Sequence, residues 1–300
     1  MVLFAGFEAG GTSFRVSVAR DSAANIVAQW QVATTTPAAT IGACVDWLQA
    51  KQSELGEDFA AVGVASFGPV DVRKGLITTT PKPGWAQTDV LGPLRAAFPA
   101  AKLAFDTDVN GAALGQLVHG ADPPVSSLVY ITVGTGIGAG IVVDGRPLHG
   151  KLHPEAGHMF VQRHADDTTF KGTCPFHGAC VEGLVASPSM AERAGVPKED
   201  LGALADDHAA FVFGAYYLAQ LCVNLTLAVS PLRIVIGGGI MNRTGLLDNV
   251  RKHFVELLAG YVPVDDVAAY ITRPPQGDDA GVVGSLELAV QVLAGTIESR

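Results

Sequence analysis

The chain has 300 residues, a formal net charge of -9 and only 16% charged residues. At about 150 residues per domain, this length predicts about two domains, each able to bury a core. The 48% hydrophobic content excludes a disordered chain, a coiled coil and a collagen, and the lack of a Lys/Arg cluster excludes a nucleic-acid-binding surface.

The first part of the chain predicts strands joined by glycine turns, with one long helix. Residues 2–20 contain an apolar run, a Gly-Gly-Thr turn and then alternating apolar residues, which is typical of strand, turn and strand. Thr36 and Pro37 suit the N-cap and first position of a helix over 36–55. The sequence then predicts a strand over 62–67, a loop over 78–84, a strand over 103–105 and a helix over 112–118. Asp122-Pro123-Pro124 is the predicted linker.

The second part repeats this opening pattern. A strand over 128–133, a Gly/Thr turn and a strand over 141–143 are followed by a helix over 205–229, a strand over 234–236 and a closing helix over 278–293. Because strands and helices alternate, the predicted class is α/β. The duplicated hairpin predicts two related domains facing a cleft.

The sequence predicts a cytoplasmic protein with reduced thiols. The best candidate for a membrane span, 128–143, is too short and contains four glycines and two threonines. The first four residues, MVLF, place no charged region ahead of the apolar ones, which argues against a signal peptide. Four cysteines in 300 residues are too few for a disulfide framework.

Two turns, at 10–12 and 134–136, place glycine beside threonine between strands. Glycines let successive backbone N–H groups point toward one anion, and a threonine hydroxyl adds a donor. As a matched pair, with the three glycines at 237–239, these turns favour a triphosphate clamp over ordinary hairpins. No Walker loop is present. Residues 134–139 fit a dinucleotide fingerprint, but a strand follows them instead of a helix, which argues against a dehydrogenase.

Two carboxylates, Asp106 and Asp108, lie where a strand leads into a helix. Aspartate at this place is often only an N-cap. The functional alternative is a general base that takes the proton of a hydroxyl attacking phosphorus. The spacing alone does not choose between the two residues or the two roles.

A Cys/His cluster follows, with the spacing H-x15-C-x2-H-x2-C from His158 to Cys180. Thiolate and imidazole at such spacing predict tetrahedral zinc, and four protein ligands indicate a structural site. A disulfide between the two cysteines is the alternative, and the reduced compartment argues against it. The distal ligand stays open, since His149, His153 and His164 are nearby. Glu155 and Glu182 flank the ligands, where they are suited to bind sugar hydroxyls or to remain solvent-exposed charges.

Seven segments carry motifs that are specific in combination: EAGGT at 8–12, SFGPVD at 66–71, PKPGW at 81–85, DTDVNGAALG at 106–115, PEAGH at 154–158, CPFHGACVEG at 174–183 and GDDAG at 277–281. Together they resemble the bacterial fructokinases of the ROK sugar-kinase family. The resemblance runs nearly from end to end of the chain.

The resemblance implies an α/β protein with the two-domain actin-like ATPase (ribonuclease H-like) fold and a ligand cleft between the domains. Residues 1–120 are expected to form the N-terminal domain, with helix 285–300 packed on it. Residues 121–284 are expected to form a larger α/β domain that contains the zinc-binding substrate loop.

The implied activity is ATP-dependent phosphorylation of the D-fructose 6-hydroxyl, with Mg²⁺ as a cofactor and Asp108 as the general base. The family's sugar-contacting positions match Gly68, Gly84, Asn110, Glu155, His158 and Glu182. Its nucleotide-binding positions match Gly10, Gly11, Thr12, Gly134, Thr135, Gly136, Gly238 and Gly239. Its structural zinc ligands match His158, Cys174, His177 and Cys180. The implied partners are a sugar, a nucleotide and a second copy of the chain, with no nucleic acid and no membrane.

The chain departs from the family pattern at a few positions. Ser13 stands where a Lys is usual, Gln116 replaces a Glu, and the segment at 186–189 differs. We expect weaker nucleotide binding or a greater dependence on Arg15. The alternatives are a kinase for glucose, mannose or an N-acetyl hexosamine and, more remotely, a non-catalytic sugar sensor. The family's transcriptional repressors carry a helix-turn-helix before the first glycine turn, for which residues 1–7 leave no room.

Overall fold

The computed structural model describes residues 1–275 and 277–300. The chain divides into two compact units. The first unit comprises residues 1–124, 140–154 and 279–300, and the second comprises 125–139 and 155–278. The predicted domain boundaries at residues 120 and 284 stay a prediction; the compact units additionally group residues 140–154 with the N-terminal part of the chain.

Strands and helices alternate along the chain, as the sequence predicts for an α/β protein. The elements up to residue 119 are β1 (Leu3–Ala9), β2 (Ser13–Arg20), β3 (Ile26–Ala33), α1 (Pro37–Leu55), β4 (Phe59–Ser66), β5 (Val70–Asp71), β6 (Leu76–Ile77), β7 (Thr88–Asp89), α2 (Leu91–Ala97), β8 (Lys102–Thr107) and α3 (Asp108–His119). The elements that follow are β9 (Leu128–Val133), β10 (Ile137–Val143), β11 (Arg146–Pro147), α4 (Val181–Val185), α5 (Ser187–Ala194), α6 (Ala209–Val229), β12 (Arg233–Gly237), α7 (Leu246–Leu258), α8 (Val267–Tyr270), β13 (Ile271–Thr272) and α9 (Ala280–Ala294).

The first unit is built on a five-stranded sheet with the order β3-β2-β1-β4-β8. Strands β1, β2 and β3 are antiparallel neighbours, whereas β4 and β8 continue the sheet in parallel with β1. Side chains alternate between two buried clusters, as the period of two in a strand requires. One cluster joins the sheet to α1 and α2, and the other joins it to α3 and α9. The sheet is therefore covered on both faces.

Strand β3 was not among the predicted elements. Its residues alternate between half-buried and exposed along its whole length, and it lies at the edge of the sheet, paired with β2. An edge strand with exposed side chains shows a weak apolar signal. By contrast, α1 begins as predicted: Thr36 is its N-cap, and the Thr36 hydroxyl accepts a hydrogen bond from the Ala39 N–H.

Helix α9 packs unusually closely on β4 and α3 because glycines line the contact. A Cβ atom on Gly63 of β4 would lie 2.0 Å from the Ser285 carbonyl oxygen, and one on Gly284 would lie 2.1 Å from the Gly111 carbonyl oxygen. Neither position leaves room for a methyl group. These glycines therefore fix how near the C-terminal helix lies to the sheet.

In the second unit, β12 pairs in parallel with β9, and β13 pairs in parallel with β12. Helix α6 packs against α4, α5 and α7. Among the described residues, α6 is the one helix long and apolar enough to cross a bilayer, and 50% of its apolar window is buried inside the protein. This burial is typical of a core helix.

Helix α6 begins at Ala209 rather than near 205, because the His208 side chain caps it by accepting a hydrogen bond from the Ala210 N–H.

The glycine contact of α9 leads to a stability prediction. We expect Gly63→Ala to lower the free energy of unfolding of the first unit by about 2 kcal/mol, because the added methyl group overlaps the α9 backbone. The measurement is urea-induced unfolding.

The matched control is Gly42→Ala in α1, where a Cβ atom meets nothing within 4 Å. This change is expected to raise the free energy of unfolding by about 0.5–1 kcal/mol, since alanine is the better helix former. Equal effects of the two substitutions would contradict the packing argument.

Candidate functional site

The turn after β9 forms one wall of a cavity of about 730 Å³ in the second unit. The Gly134 N–H donates to the Gly136 carbonyl at 3.0 Å and closes the turn. The Ser187 N–H donates to the Gly134 carbonyl at 2.8 Å, which ties the turn to the start of α5. The exposed Thr135 hydroxyl faces the cavity, whose other wall includes Gly239 and Arg243. Two sets of predicted nucleotide-binding residues thus line one pocket.

Gly238 explains how these two segments meet. Its φ is 93°, and a Cβ atom there would lie 2.4 Å from the Val133 carbonyl oxygen. Only glycine adopts this conformation without strain and also allows the backbone of β9 to approach so closely. The strand β10 that follows Gly136 agrees with the rejection of the dinucleotide fingerprint, which requires a helix.

The far wall of the cavity is held by Arg243, which no sequence motif marks. Its guanidinium lies 3.7 Å from the centre of the Phe211 ring. It donates to the Leu201 and Leu204 carbonyls at 2.8 and 2.9 Å and to Asp206 Oδ1 at 2.6 Å. An arginine in an unremarkable loop gives no sequence signal for this role. The stacked pair offers a rigid surface with an apolar part and a polar edge.

The first unit carries the other Gly/Thr turn, between β1 and β2. The Gly10 N–H donates to the Ser13 carbonyl at 3.0 Å, and the Thr12 carbonyl accepts the Thr34 N–H at 2.9 Å. Gly11 and Thr12 are exposed.

Arg15 of β2, beyond this turn, is engaged by carboxylates. It forms a close ion pair with Glu8 and a second one with Asp279 at 2.9 Å. Its charge is therefore already partly neutralised in the first unit.

The carboxylates at the start of α3 have different environments. Thr107, and neither aspartate, is the N-cap: its hydroxyl accepts the Asn110 N–H at 3.1 Å. Asp106 is 3% exposed and accepts hydrogen bonds from the Thr107 N–H and the Asn110 amide, both at 2.8 Å. Asp108 is half-buried, in the first turn of the helix, where its Oδ1 accepts the Val109 N–H at 2.9 Å. Asp108 is therefore the carboxylate that solvent reaches.

Asn110 is almost completely buried, at 1% exposure. Its amide nitrogen donates to Asp106, and its Oδ1 accepts the Ile141 N–H at 3.3 Å. The arrangement indicates that Asn110 positions the turn, while its predicted sugar contact stays a prediction.

His149 completes the hydrogen bonding of Asp106, with its Nε2 3.0 Å from Asp106 Oδ2. The hydrogen bond to Asp106 raises the pKa of His149, while partial burial and the Arg300 charge act in the opposite direction. Nearby, burial lowers the pKa of His153, whose Nε2 accepts the Val70 N–H at 3.1 Å. This bond anchors the loop of Gly68.

The other predicted loop position, Gly84, has a φ of 78° and precedes Trp85, which is 0% exposed. The Trp85 indole N–H donates to the Thr35 carbonyl at 2.8 Å. Trp85 thereby anchors the predicted substrate loop in the first-unit core.

The four predicted metal ligands come together in the second unit. Their ligand atoms all lie within 4.8 Å of one another. Cys174 Sγ is 3.7 Å from Nδ1 of both His158 and His177, and Cys180 Sγ is 3.6 Å from His158 Nδ1. Four ligands about 2.0–2.3 Å from one tetrahedral zinc ion have comparable mutual distances. The residues present fit that ion.

The loop between His158 and Cys174 is anchored by a buried polar cluster. Asp167 pairs closely with Arg193 of α5 and accepts the Tyr217 hydroxyl of α6 at 2.6 Å. Although burial acts in the opposite direction, these hydrogen bonds hold the pKa of Asp167 below its usual value. His164, another candidate ligand from the sequence, instead accepts the Asp166 N–H at 3.2 Å.

Two predicted sugar-contacting residues, Glu155 and Glu182, lie near the third, His158, which belongs to the Cys/His cluster. His158 Nε2 is 3.9 Å from Glu182 Oε1, and Glu182 Oε2 accepts the Ile137 N–H at 3.0 Å. Partial desolvation and the nearby Glu182 carboxylate raise the pKa of Glu155, although its side chain still reaches solvent. Two carboxylates and an imidazole thus form a polar group suited to bind hydroxyls.

Comparison with known proteins adds the family context. The sequence profile of the ROK family matches residues 4–292. A fructokinase of Zymomonas mobilis is 40% identical over 293 residues, which cover 96% of this chain and 96% of that protein.

Solved structures share the fold. The ROK hexokinase from Thermus thermophilus matches with a TM-score of 0.81 and 24% identity, over 98% of this chain and 100% of that one. A ROK family glucokinase from Streptomyces griseus, in complex with glucose and AMPPNP, matches with a TM-score of 0.73 and 23% identity, over 96% and 99%. The predicted α/β fold of the actin-like ATPase type is confirmed.

The Asp106–His149 pair leads to a prediction about pH. The pKa of folded His149 lies above its unfolded value of 6.5, so the stabilisation is complete below pH 6.5 and is lost as the pH rises through the raised pKa. We expect His149→Gln to lower the free energy of unfolding by about 1 kcal/mol more at about pH 6 than at about pH 9. Urea unfolding at the two pH values measures this difference.

The control is the same substitution in an Asp106→Asn background. There, the pH-dependent part of the His149→Gln effect is expected to vanish, because the charged acceptor is gone. A pH dependence that survives in that background would show that another group is responsible.

Proposed function

The chain belongs to the ROK family, and from that premise we propose that it is an ATP-dependent fructokinase. The reaction transfers the γ-phosphoryl group of ATP to the 6-hydroxyl of D-fructose. The observation that carries this proposal is the second-unit cavity, where Thr135 and Gly239, two residues predicted to bind nucleotide, line one space of about 730 Å³. The 40% identity to a Zymomonas mobilis fructokinase supports the choice of sugar.

Asp108 is the proposed general base. Its carboxylate reaches solvent, whereas the Asp106 carboxylate is buried and occupied by three donors. In the proposed step, Asp108 takes the proton of the sugar hydroxyl, the hydroxyl oxygen bonds to the γ-phosphorus, and the bond from that phosphorus to ADP breaks. Most of the catalytic effect in such transfers comes from positioning and charge stabilisation, with one base for the proton.

The two Gly/Thr turns and the glycines at 238–239 are the proposed phosphate-binding elements. Their backbone N–H groups and threonine hydroxyls donate to phosphate oxygens. Mg²⁺ bound with ATP supplies positive charge, because this acidic chain has few cationic side chains to balance the phosphates. The loops of Gly68 and Gly84 and the polar group of Glu155, His158 and Glu182 are proposed to bind the sugar.

The proposed metal is a structural zinc held by His158, Cys174, His177 and Cys180. Zinc there fixes the backbone that carries Glu182, since Cys180 is the N-cap of α4 and Glu182 lies in its first turn. His158 is proposed to bind the metal through Nδ1 and to present Nε2 toward Glu182 and the sugar.

The test of the proposed function is ADP release from Mg-ATP with a panel of free hexoses. We expect rapid turnover with fructose and at least about 100-fold less with glucose, mannose and N-acetyl hexosamines, because a polar pocket leaves its groups unpaired with the wrong sugar. Faster turnover with another hexose would keep the kinase and change its substrate. No turnover with any sugar would support a non-catalytic sugar sensor instead.

The same assay also tests whether Asp108 is the general base. Asp108→Asn is expected to lower kcat by about 1,000-fold or more while ADP binding stays within about twofold, since the base acts only in the chemical step. The matched control is Asp46→Asn on the exposed face of α1. Near-normal turnover of Asp108→Asn would reject the assignment of the base.

Removal of the metal is expected to affect the sugar side selectively. We expect one zinc ion per chain by elemental analysis and its loss in Cys180→Ser. The sugar KM is expected to rise about tenfold, and Tm to fall by about 10 °C, because an ion at about 1,000 times its Kd contributes about 4 kcal/mol. ADP affinity is expected to stay within about twofold.

The control for the metal experiment is Cys44→Ala, which removes a core cysteine outside the cluster. It is expected to retain the zinc ion. A protein that contains no zinc, or a Cys180→Ser variant with an unchanged sugar KM, would contradict the proposed role of the cluster.

A further inference from the structure

Lys198 extends from a short 3-10 segment, Lys198–Ala203, to the Gly/Thr turn after β9. Its Nζ lies 2.9 Å from the Thr135 Oγ1. The side chain is otherwise exposed, and Leu201 and Gly202 from the same segment also line the cavity. A flexible, strongly hydrated ammonium group is therefore held at one defined point of the cavity wall.

The charges that line the cavity are unevenly compensated. They belong to Lys198, Asp206 and Arg243. Arg243 forms an ion pair with Asp206 at 2.6 Å and donates its remaining bonds to backbone carbonyls, so these two charges offset each other. Within the described part of the chain, none of the ion pairs within 4.0 Å includes the Lys198 ammonium group. Lys198 thus gives the cavity its net positive charge, in a chain whose net charge is -9.

The contact with Thr135 also directs hydrogen bonding. An ammonium group has three donors and no acceptor, so the Thr135 hydroxyl must accept from Lys198 and is left to donate its own proton elsewhere. The two remaining Lys198 donors, the Thr135 proton and the backbone N–H groups of the turn then all require acceptors. A phosphate group, with several charged oxygens, satisfies such a set of donors.

We propose that Lys198 is the phosphate-contacting cation of the nucleotide pocket; this inference rests on the proposed function and names the residue that supplies the charge. The first-unit turn has Ser13 directly after Thr12, and Arg15 is paired with Glu8 and Asp279. In the second unit, the corresponding charge reaches the turn from a distant segment of the chain. Lys198 contacts the phosphates of ADP and ATP, whereas Phe211 and Arg243 contact the nucleoside.

The test compares ligands with and without phosphate on the full chain. ADP and adenosine are titrated into the wild type and three variants, Lys198→Met, Lys198→Arg and Lys252→Met. Binding is measured by calorimetry and by displacement titration. Lys198→Met keeps the length of the side chain and removes its charge. Lys252 lies exposed on α7 outside the cavity and is the matched control.

We expect Lys198→Met to weaken ADP binding about tenfold and to leave adenosine binding within about twofold, because only ADP carries the group that the ammonium contacts. Lys198→Arg is expected to stay within about threefold of the wild type for ADP, and Lys252→Met within about twofold. In kinetics, the KM for ATP is expected to rise while the KM for fructose does not. The ADP Kd of Lys198→Met is expected to depend less on KCl concentration than that of the wild type.

Two results would overturn the proposal. Equal weakening of ADP and adenosine would show that Lys198 only shapes the pocket, and unchanged ADP binding would show that it is an ordinary surface lysine. In both cases wild-type turnover with fructose would leave the proposed function intact. A wild-type chain that binds neither ligand and phosphorylates no sugar would overturn the proposed function and this inference together.

Discussion

The conformation of the candidate catalytic turn depends on one buried carboxylate, that of Asp106. At 3% exposure it would be destabilising without partners, and it has them: the Thr107 N–H, the Asn110 amide and the His149 ring. These bonds fix where β8 ends and α3 begins. They also leave Asp108, the next residue but one, half-buried in the first turn of α3. Of the two carboxylates, Asp108 is therefore the one that solvent reaches, as the proposed general base requires.

The charged side chains of the second unit fall into two groups. Arg243 is neutralised by Asp206, and Asp167 is held by Arg193 and Tyr217, so the charges at these places stabilise loops. Glu155, Glu182 and Lys198 are different, because each remains accessible and close to a predicted ligand-binding group. Accessibility to solvent thus distinguishes the charges that we propose to bind ligands from the charges that hold loops.

Much of the fold could be read from the sequence because local signals agreed with tertiary structure. Thr36 and Pro37 start α1 as predicted, and the spacing from His158 to Cys180 brings four ligand atoms together. The failures have physical causes. Strand β3 is an exposed edge with little apolar signal. The sequence leaves open the role of the two aspartates at the start of α3, and the N-cap is Thr107. Lys198 and Arg243 reach the cavity from irregular segments, where neither periodicity nor spacing reveals a contact.

The dependence of the first unit on α9 has a consequence for synthesis. The sheet face formed by small residues such as Gly63 and Ala65 is covered by a helix that begins at Ala280. A ribosome adds residues from the N-terminus at about 5–20 per second. For many seconds, the nascent N-terminal segment therefore presents an uncovered apolar face, and its core closes only after the whole intervening second unit has been made. During synthesis, the first unit is thus expected to complete its folding last, although the ribosome makes its N-terminal part first.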